Sequence, residues 1–90
     1  MSDDLTTSFQ NASAEVTQLS EAPDNLAKLR LYALYKQGTA GDATGDRPGM
    51  FDFVGRAKFD AWKDLAGISL DEAKQRYIDL VGELKAADKK

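Results

Sequence analysis

The stretch LYALYKQGTAGDATGDRPGMFDFVGRAKFDAWKDL, from Leu31 to Leu65, decides how this chain is read. It opens in a helical pattern that interleaves Tyr32 and Tyr35 with Lys36. It then crosses a run of glycine, aspartate and proline and returns as a second helical pattern carrying Arg56, Lys58, Phe59 and Trp62. From Gly41 to Phe53 neither a helical nor a strand period holds, and Gly41-Asp42, Gly45-Asp46 and Pro48-Gly49 are turn chemistry. A loop this long in a small domain tends to be functional. Met50, Phe51 and Phe53 within it need somewhere to pack, so an ordered loop lying across the helices is expected. Rings and cations on both sides of such a loop suit a pocket for something flat, anionic and partly apolar.

Helical patterns flank this stretch. Leu5, Phe9, Ala12, Val16 and Leu19 alternate steps of four and three, one stripe of an amphipathic helix. Asp3, Asp4 or the threonines suit its start, and Pro23 is expected to close it. Asp24 then caps a second helix from Asn25 to Thr39, apolar in two directions: Leu26, Leu29 and Ala33 on one side, Leu31 and Leu34 on another. Such a helix sits centrally, or meets a ligand as well as a core. Tyr32, Tyr35 and Lys36 occupy a third sector, and Gly38 and Gly41 supply the exit. A third helix from Val54 to Ala66 sets Phe59, Trp62 and Leu65 at steps of three, ended by Gly67. Ser69 with Glu72 reads as a capping box, and Ile68 with Ala73 as its hydrophobic staple. The last helix follows with Leu70, Ala73, Tyr77, Leu80 or Val81, and Leu84 on one stripe, with Gly82 a weak point and a basic tail from Lys85 to Lys90. Four helices, no strand candidate and no repeat predict an all-α bundle in a single domain over residues 1–90. One long connection among three short ones argues against simple up-down-up-down order.

Composition excludes several functions. An apolar fraction of 42% with 30% charged residues describes a globular chain rather than a disordered one. The net charge of −3 divides unevenly: residues 1–27 carry minus five, 28–63 plus three, and 64–90 minus one. The positive charge therefore lies where the rings are, which suits one compact anion better than a polynucleotide. Without cysteine or histidine there is no disulfide framework, thiol nucleophile, hydrolytic triad or zinc site. The glycines form no P-loop, and the calcium-loop likeness of Asp42, Thr44 and Asp46 fails at Arg47 and Phe53. No apolar run approaches membrane-spanning length, and MSDDLTTSF is acidic, so a cytoplasmic protein is expected, and the absence of histidine and cysteine predicts a non-catalytic one.

The positive signal is a constellation. Tyr32, Tyr35 and Lys36 on one helix can meet Arg56 and Lys58 on another, with Tyr77 as a third wall. Ammonium and phenol groups suit phosphate, and ring faces suit an adenine-like base. Rings at helical spacing also simply fill cores, and lysines simply solvate faces, so a small helical interaction module binding a partner or nucleotide-like anion stands as the alternative. YALYKQGTAGD, RPGMFDF, GRAKFDAW and the segment from Ala73 to Leu84 together resemble the acyl-CoA-binding protein family over nearly the whole chain. The resemblance implies a four-helix up-down-down-up bundle that binds long-chain acyl-CoA thioesters as an intracellular carrier and pool buffer. No cofactor, no nucleic-acid partner, no stable membrane insertion and a monomer are expected. It assigns Tyr32, Lys36 and Lys58 to the phosphorylated ribose end of CoA, Tyr35 to the adenine, Tyr77 to a hydrogen bond with the CoA portion, and Phe9 and Leu29 to the acyl channel. Departures from the family pattern stand at Thr17, where the family often has lysine, at Val54, where some members are basic, and at Phe59, a frequent tryptophan. Lys28 and Arg30 also replace common apolar residues and leave the preferred chain length open.

Overall fold

Local signals start three of the four helices. In the computed structural model, which describes the backbone of residues 2–88 and the side chains of 4–88, the elements are α1 (Ser2–Glu15), α2 (Asn25–Ala40), α3 (Phe53–Lys63) and α4 (Leu70–Ala87). The cap expected at Asp3 and the tail residues Lys89 and Lys90 lie outside the described side chains. The Asp24 carboxylate accepts from the Ala27 amide at 2.8 Å, and Ser69 Oγ accepts from the Glu72 amide at 3.0 Å. Only half of the expected capping box forms, because Glu72 turns forward to Arg76 at 2.8 Å. Asp52 caps α3 through the Gly55 amide at 3.0 Å. A Cβ at residue 55 would collide with that carboxylate, so the glycine makes the cap possible.

The end of α1 differs from the expectation. The helix does not run to Pro23: it tightens into a 3₁₀ turn over Val16–Gln18, and Leu19 is already extended. Ser13 and Thr17 hydroxyls each bond the carbonyl three residues back, which competes with continued helix. Ser20 is then held by the Asp88 carboxylate through its amide and its hydroxyl, tying the link to the far end of α4. Of the α1 stripe only Phe9 and Ala12 are buried.

Side-chain pairings fix the order of the helices. Asp4 shares a surface hollow with Gln75, and Glu15 pairs with Lys85, so α1 and α4 run parallel. Gly38 lies against Lys74 while Arg30 lies near Glu83, so α2 and α4 are antiparallel. Lys58 sits over Tyr32 and Trp62 beside Lys36, so α2 and α3 are parallel. This is up-down-down-up. In cross-section the order is α1, α4, α2, α3, and among the described residues α3 packs only on α2, which leaves a thin body of 39 × 32 × 15 Å. Leu31 and Leu34 of α2 turn into the core, whereas Leu29 lines a groove beside α3 and Leu26 is exposed. Phe9, Ala12, Leu31, Leu34, Tyr77, Leu80 and Val81 form the core. Leu70, expected on the α4 stripe, is exposed.

The long loop is ordered by polar bonds rather than by its apolar residues. Gln37 is fully buried and donates to Asp42 and to the Ile68 carbonyl, both at 2.8 Å. Asp42 also accepts from the Gly67 amide at 3.0 Å, and Trp62 Nε1 donates to the Gly41 carbonyl at 2.7 Å. Arg47 grips Asp60 with two bonds of 2.9 and 2.6 Å. Met50, Phe51 and Phe53, expected to pack, are instead between 70% and 86% exposed. With α3 seated only on α2, no second layer covers them. Gly38 is no exit either: it is buried inside α2, and Gly41, at φ 83°, ends the helix. α3 stops at Lys63, and the chain turns through Gly67 at φ 90°.

Candidate functional site

Steps of three and four along α2 set Tyr32, Tyr35 and Lys36 on its upper face, and α4 brings Tyr77 beside them. Phe9 of α1 completes an aromatic cluster. Its ring stacks on Tyr35 at 5.3 Å between centroids and meets Tyr77 edge-on at 5.1 Å, while Tyr35 and Tyr77 lie 5.9 Å apart. Phe9 and Tyr77 are buried, whereas Tyr35 is 42% exposed. Burial, with a smaller contribution from Tyr35, pushes the Tyr77 phenol above its ordinary pKa. The group stays a hydroxyl donor at neutral pH.

On the α3 side the cations rest on rings. Lys58 Nζ lies 5.3 Å from the Tyr32 centroid and Lys36 Nζ 5.0 Å from that of Trp62. The ion pairs of the described residues take up Arg47, Arg76 and Lys85, and none involves Lys36 or Lys58. Both ammonium groups are thus available to an anion.

From Lys58 a groove of about 480 Å³ runs between the first halves of α2 and α3, lined by Asn25, Lys28, Leu29, Phe53, Val54, Ala57 and Lys58. Leu29 is one turn from Tyr32, so the groove opens directly onto the ring-and-lysine face. Val54, where some members of the resembled family are basic, contributes apolar wall. Lys28 lines this groove, but Arg30 does not: it lines a separate cleft of about 470 Å³ on the opposite side of α2, with Asp64, Arg76, Asp79 and Glu83. Arg30 therefore leaves the groove's width untouched.

The expected residues are brought together with one exception. Arg56 does not join the cluster. It stands two residues from Lys58, and such neighbours face different sides of a helix. Its guanidinium reaches the Met50 carbonyl at 3.4 Å and braces the loop. Phe9 lies under the tyrosines rather than along the groove that Leu29 lines. Sequence reasoning missed Phe53, Val54 and Ala57 as groove walls. Their spacing on α3 beside Lys58 was the available signal.

A family model described as Acyl CoA binding protein matches residues 6–81. The chain is 50% identical over 82 residues to acyl-CoA-binding protein homolog 1 of Caenorhabditis elegans, covering 91% of this chain and 95% of that one. It is 49% identical over 79 residues to enoyl-CoA delta isomerase 2 of Rattus norvegicus, a match to 88% of this chain and 20% of that protein. The crystal structure of Oryza sativa acyl-CoA-binding protein 2 superposes with a TM-score of 0.87 at 41% identity, covering 92% of this chain and 90% of that chain. The chain belongs to the acyl-CoA-binding protein family.

Proposed function

We propose that this chain binds long-chain fatty acyl-CoA thioesters through its α2–α3 face and acts as a non-catalytic carrier and buffer of the acyl-CoA pool. The observation that carries this reading is the continuity of two surfaces. Lys36 and Lys58 are unpaired with any carboxylate among the described residues, and Lys58 also lines an apolar groove between α2 and α3. One end suits phosphate and the other a hydrocarbon chain.

In this mechanism Lys36 and Lys58 leave their rings for the 3′-phosphate, with the Tyr32 hydroxyl as a neutral donor. The exposed part of the Tyr35 ring takes the adenine. The Tyr77 hydroxyl, held protonated by its burial, donates to the CoA portion. The acyl chain lies along Leu29, Phe53, Val54 and Ala57. Each buried methylene contributes roughly 0.8 kcal/mol before ordering costs. Nothing in this scheme requires a general base, in keeping with a chain that has neither histidine nor cysteine. The reading extends to a single domain over residues 1–90, monomeric and cytoplasmic, that leaves polynucleotides alone. The net charge of −3 supports the last point.

Calorimetry with palmitoyl-CoA and free CoA tests the proposal. The thioester is expected to bind far more tightly. Equal affinities would remove the groove from the binding site and return the small interaction module as the better account.

A further inference from the structure

Three lysines of the described residues rest on aromatic rings, and the proposed site uses two of them. The third is Lys74 of α4, whose Nζ lies 5.9 Å from the centroid of Phe9. Its position is built. A Cβ placed on Gly38 would meet Lys74 Cγ at 3.2 Å and Phe9 Cζ at 3.5 Å, so the lysine stem runs across α2 where the glycine leaves room. Lys74 is half-buried along that stem, and among the described residues no carboxylate pairs with it. It stands one turn before Tyr77, on the same side of α4. The aromatic cluster is thus flanked by cations on two walls, Lys36 and Lys58 toward α3 and Lys74 toward α1.

CoA carries two separated anionic centres, a 3′-phosphate on the ribose and a diphosphate on its 5′ side. We infer that Lys74 is a further ligand-contacting residue, which pairs with the diphosphate while Lys36 and Lys58 hold the 3′-phosphate. This rests on the acyl-CoA reading above and adds a second phosphate contact to it. A lysine on a phenylalanine ring gains little compared with a charge-assisted bond to phosphate, so exchanging the ring for the ligand is favourable.

The test compares wild type with Lys74→Met and Lys74→Gln, both of which keep much of the stem over Gly38, and with Lys74→Arg, which keeps the charge. Lys63→Met, on the last turn of α3, controls for loss of net charge. The ligands are dodecanoyl-CoA, its 3′-dephospho form, and dodecanoyl-pantetheine, which has no phosphate. Folding is checked by circular dichroism. The Met and Gln variants are expected to bind dodecanoyl-CoA and the 3′-dephospho form about three- to ten-fold more weakly, the worth of one partly exposed charged bond. They should bind the pantetheine thioester as wild type does, while Lys74→Arg and Lys63→Met retain full affinity. Wild-type affinity of folded Lys74→Met and Lys74→Gln for dodecanoyl-CoA would overturn the inference alone. So would an equal loss with dodecanoyl-pantetheine, which would make Lys74 a packing residue. Failure of the wild type to bind dodecanoyl-CoA would instead overturn the carrier reading, and this inference with it.

Discussion

Lys36 is where the proposed site and the stability of the fold can be tested apart. Its ammonium lies against Trp62, and no ion pair of the described residues engages it, which leaves the charge for a ligand. Lys36→Ala is expected to leave helicity and Tm nearly unchanged while weakening acyl-CoA binding by about 1–3 kcal/mol. Calorimetry beside thermal melting separates the two, and unchanged affinity would contradict the head-group assignment. Asp42 is the converse case. Bonds from Gln37 and then from the Gly67 amide hold its carboxyl below the ordinary value. A depressed folded-state pKa means that the unfolded chain takes up the proton first. Its stabilising effect is therefore complete above the usual carboxylate range and lost as pH falls below about 4. Asp42→Asn should melt with a shallower dependence on pH in that acid range. An acid limb identical to that of wild type would show that this carboxylate does not tie the loop.

At the scale of elements, the caps were legible because they are local. Asp24 with Ala27 and Ser69 with Glu72 need only three residues of chain. The end of α1 was not, because Pro23 is a generic stop signal, whereas the Ser20–Asp88 bonds span 68 residues. Apolar character also misled at Met50, Phe51 and Phe53, since whether a residue has a neighbouring layer is decided by packing. Two glycines give opposite predictions. Gly82 lies in α4, and a Cβ added there would meet nothing within 4 Å, so Gly82→Ala should stabilise by about 0.5–1 kcal/mol. Gly41 ends α2 at φ 83°, and Gly41→Ala should destabilise by about 1 kcal/mol or more. Urea denaturation of both variants checks the pair, and the same sign for both would be inconsistent with these backbone roles.

At the scale of the molecule, a body only 15 Å thin presents a different surface on each side of α2. One carries the rings, lysines and apolar groove, and the other the Arg30 cleft. Affinity should rise with acyl length until the groove is filled and then level off. Val54→Ser alters the groove wall at an exposed position, so it should weaken palmitoyl-CoA binding and leave free CoA binding unchanged. An equal loss for both ligands would mean that the acyl chain lies elsewhere.

Sequence alone settled the helix count, most helix starts, the motifs of the α2–loop–α3 stretch and the residue types of the ring-and-lysine face. Those properties rest on neighbours three or four residues apart. Only the tertiary structure decided that Phe9, Tyr35 and Tyr77 form one cluster, that Arg56 serves the loop, and that Arg30 and Lys28 fall on opposite sides of α2. A helical period says which residues share a face; what that face meets depends on how the helices pack.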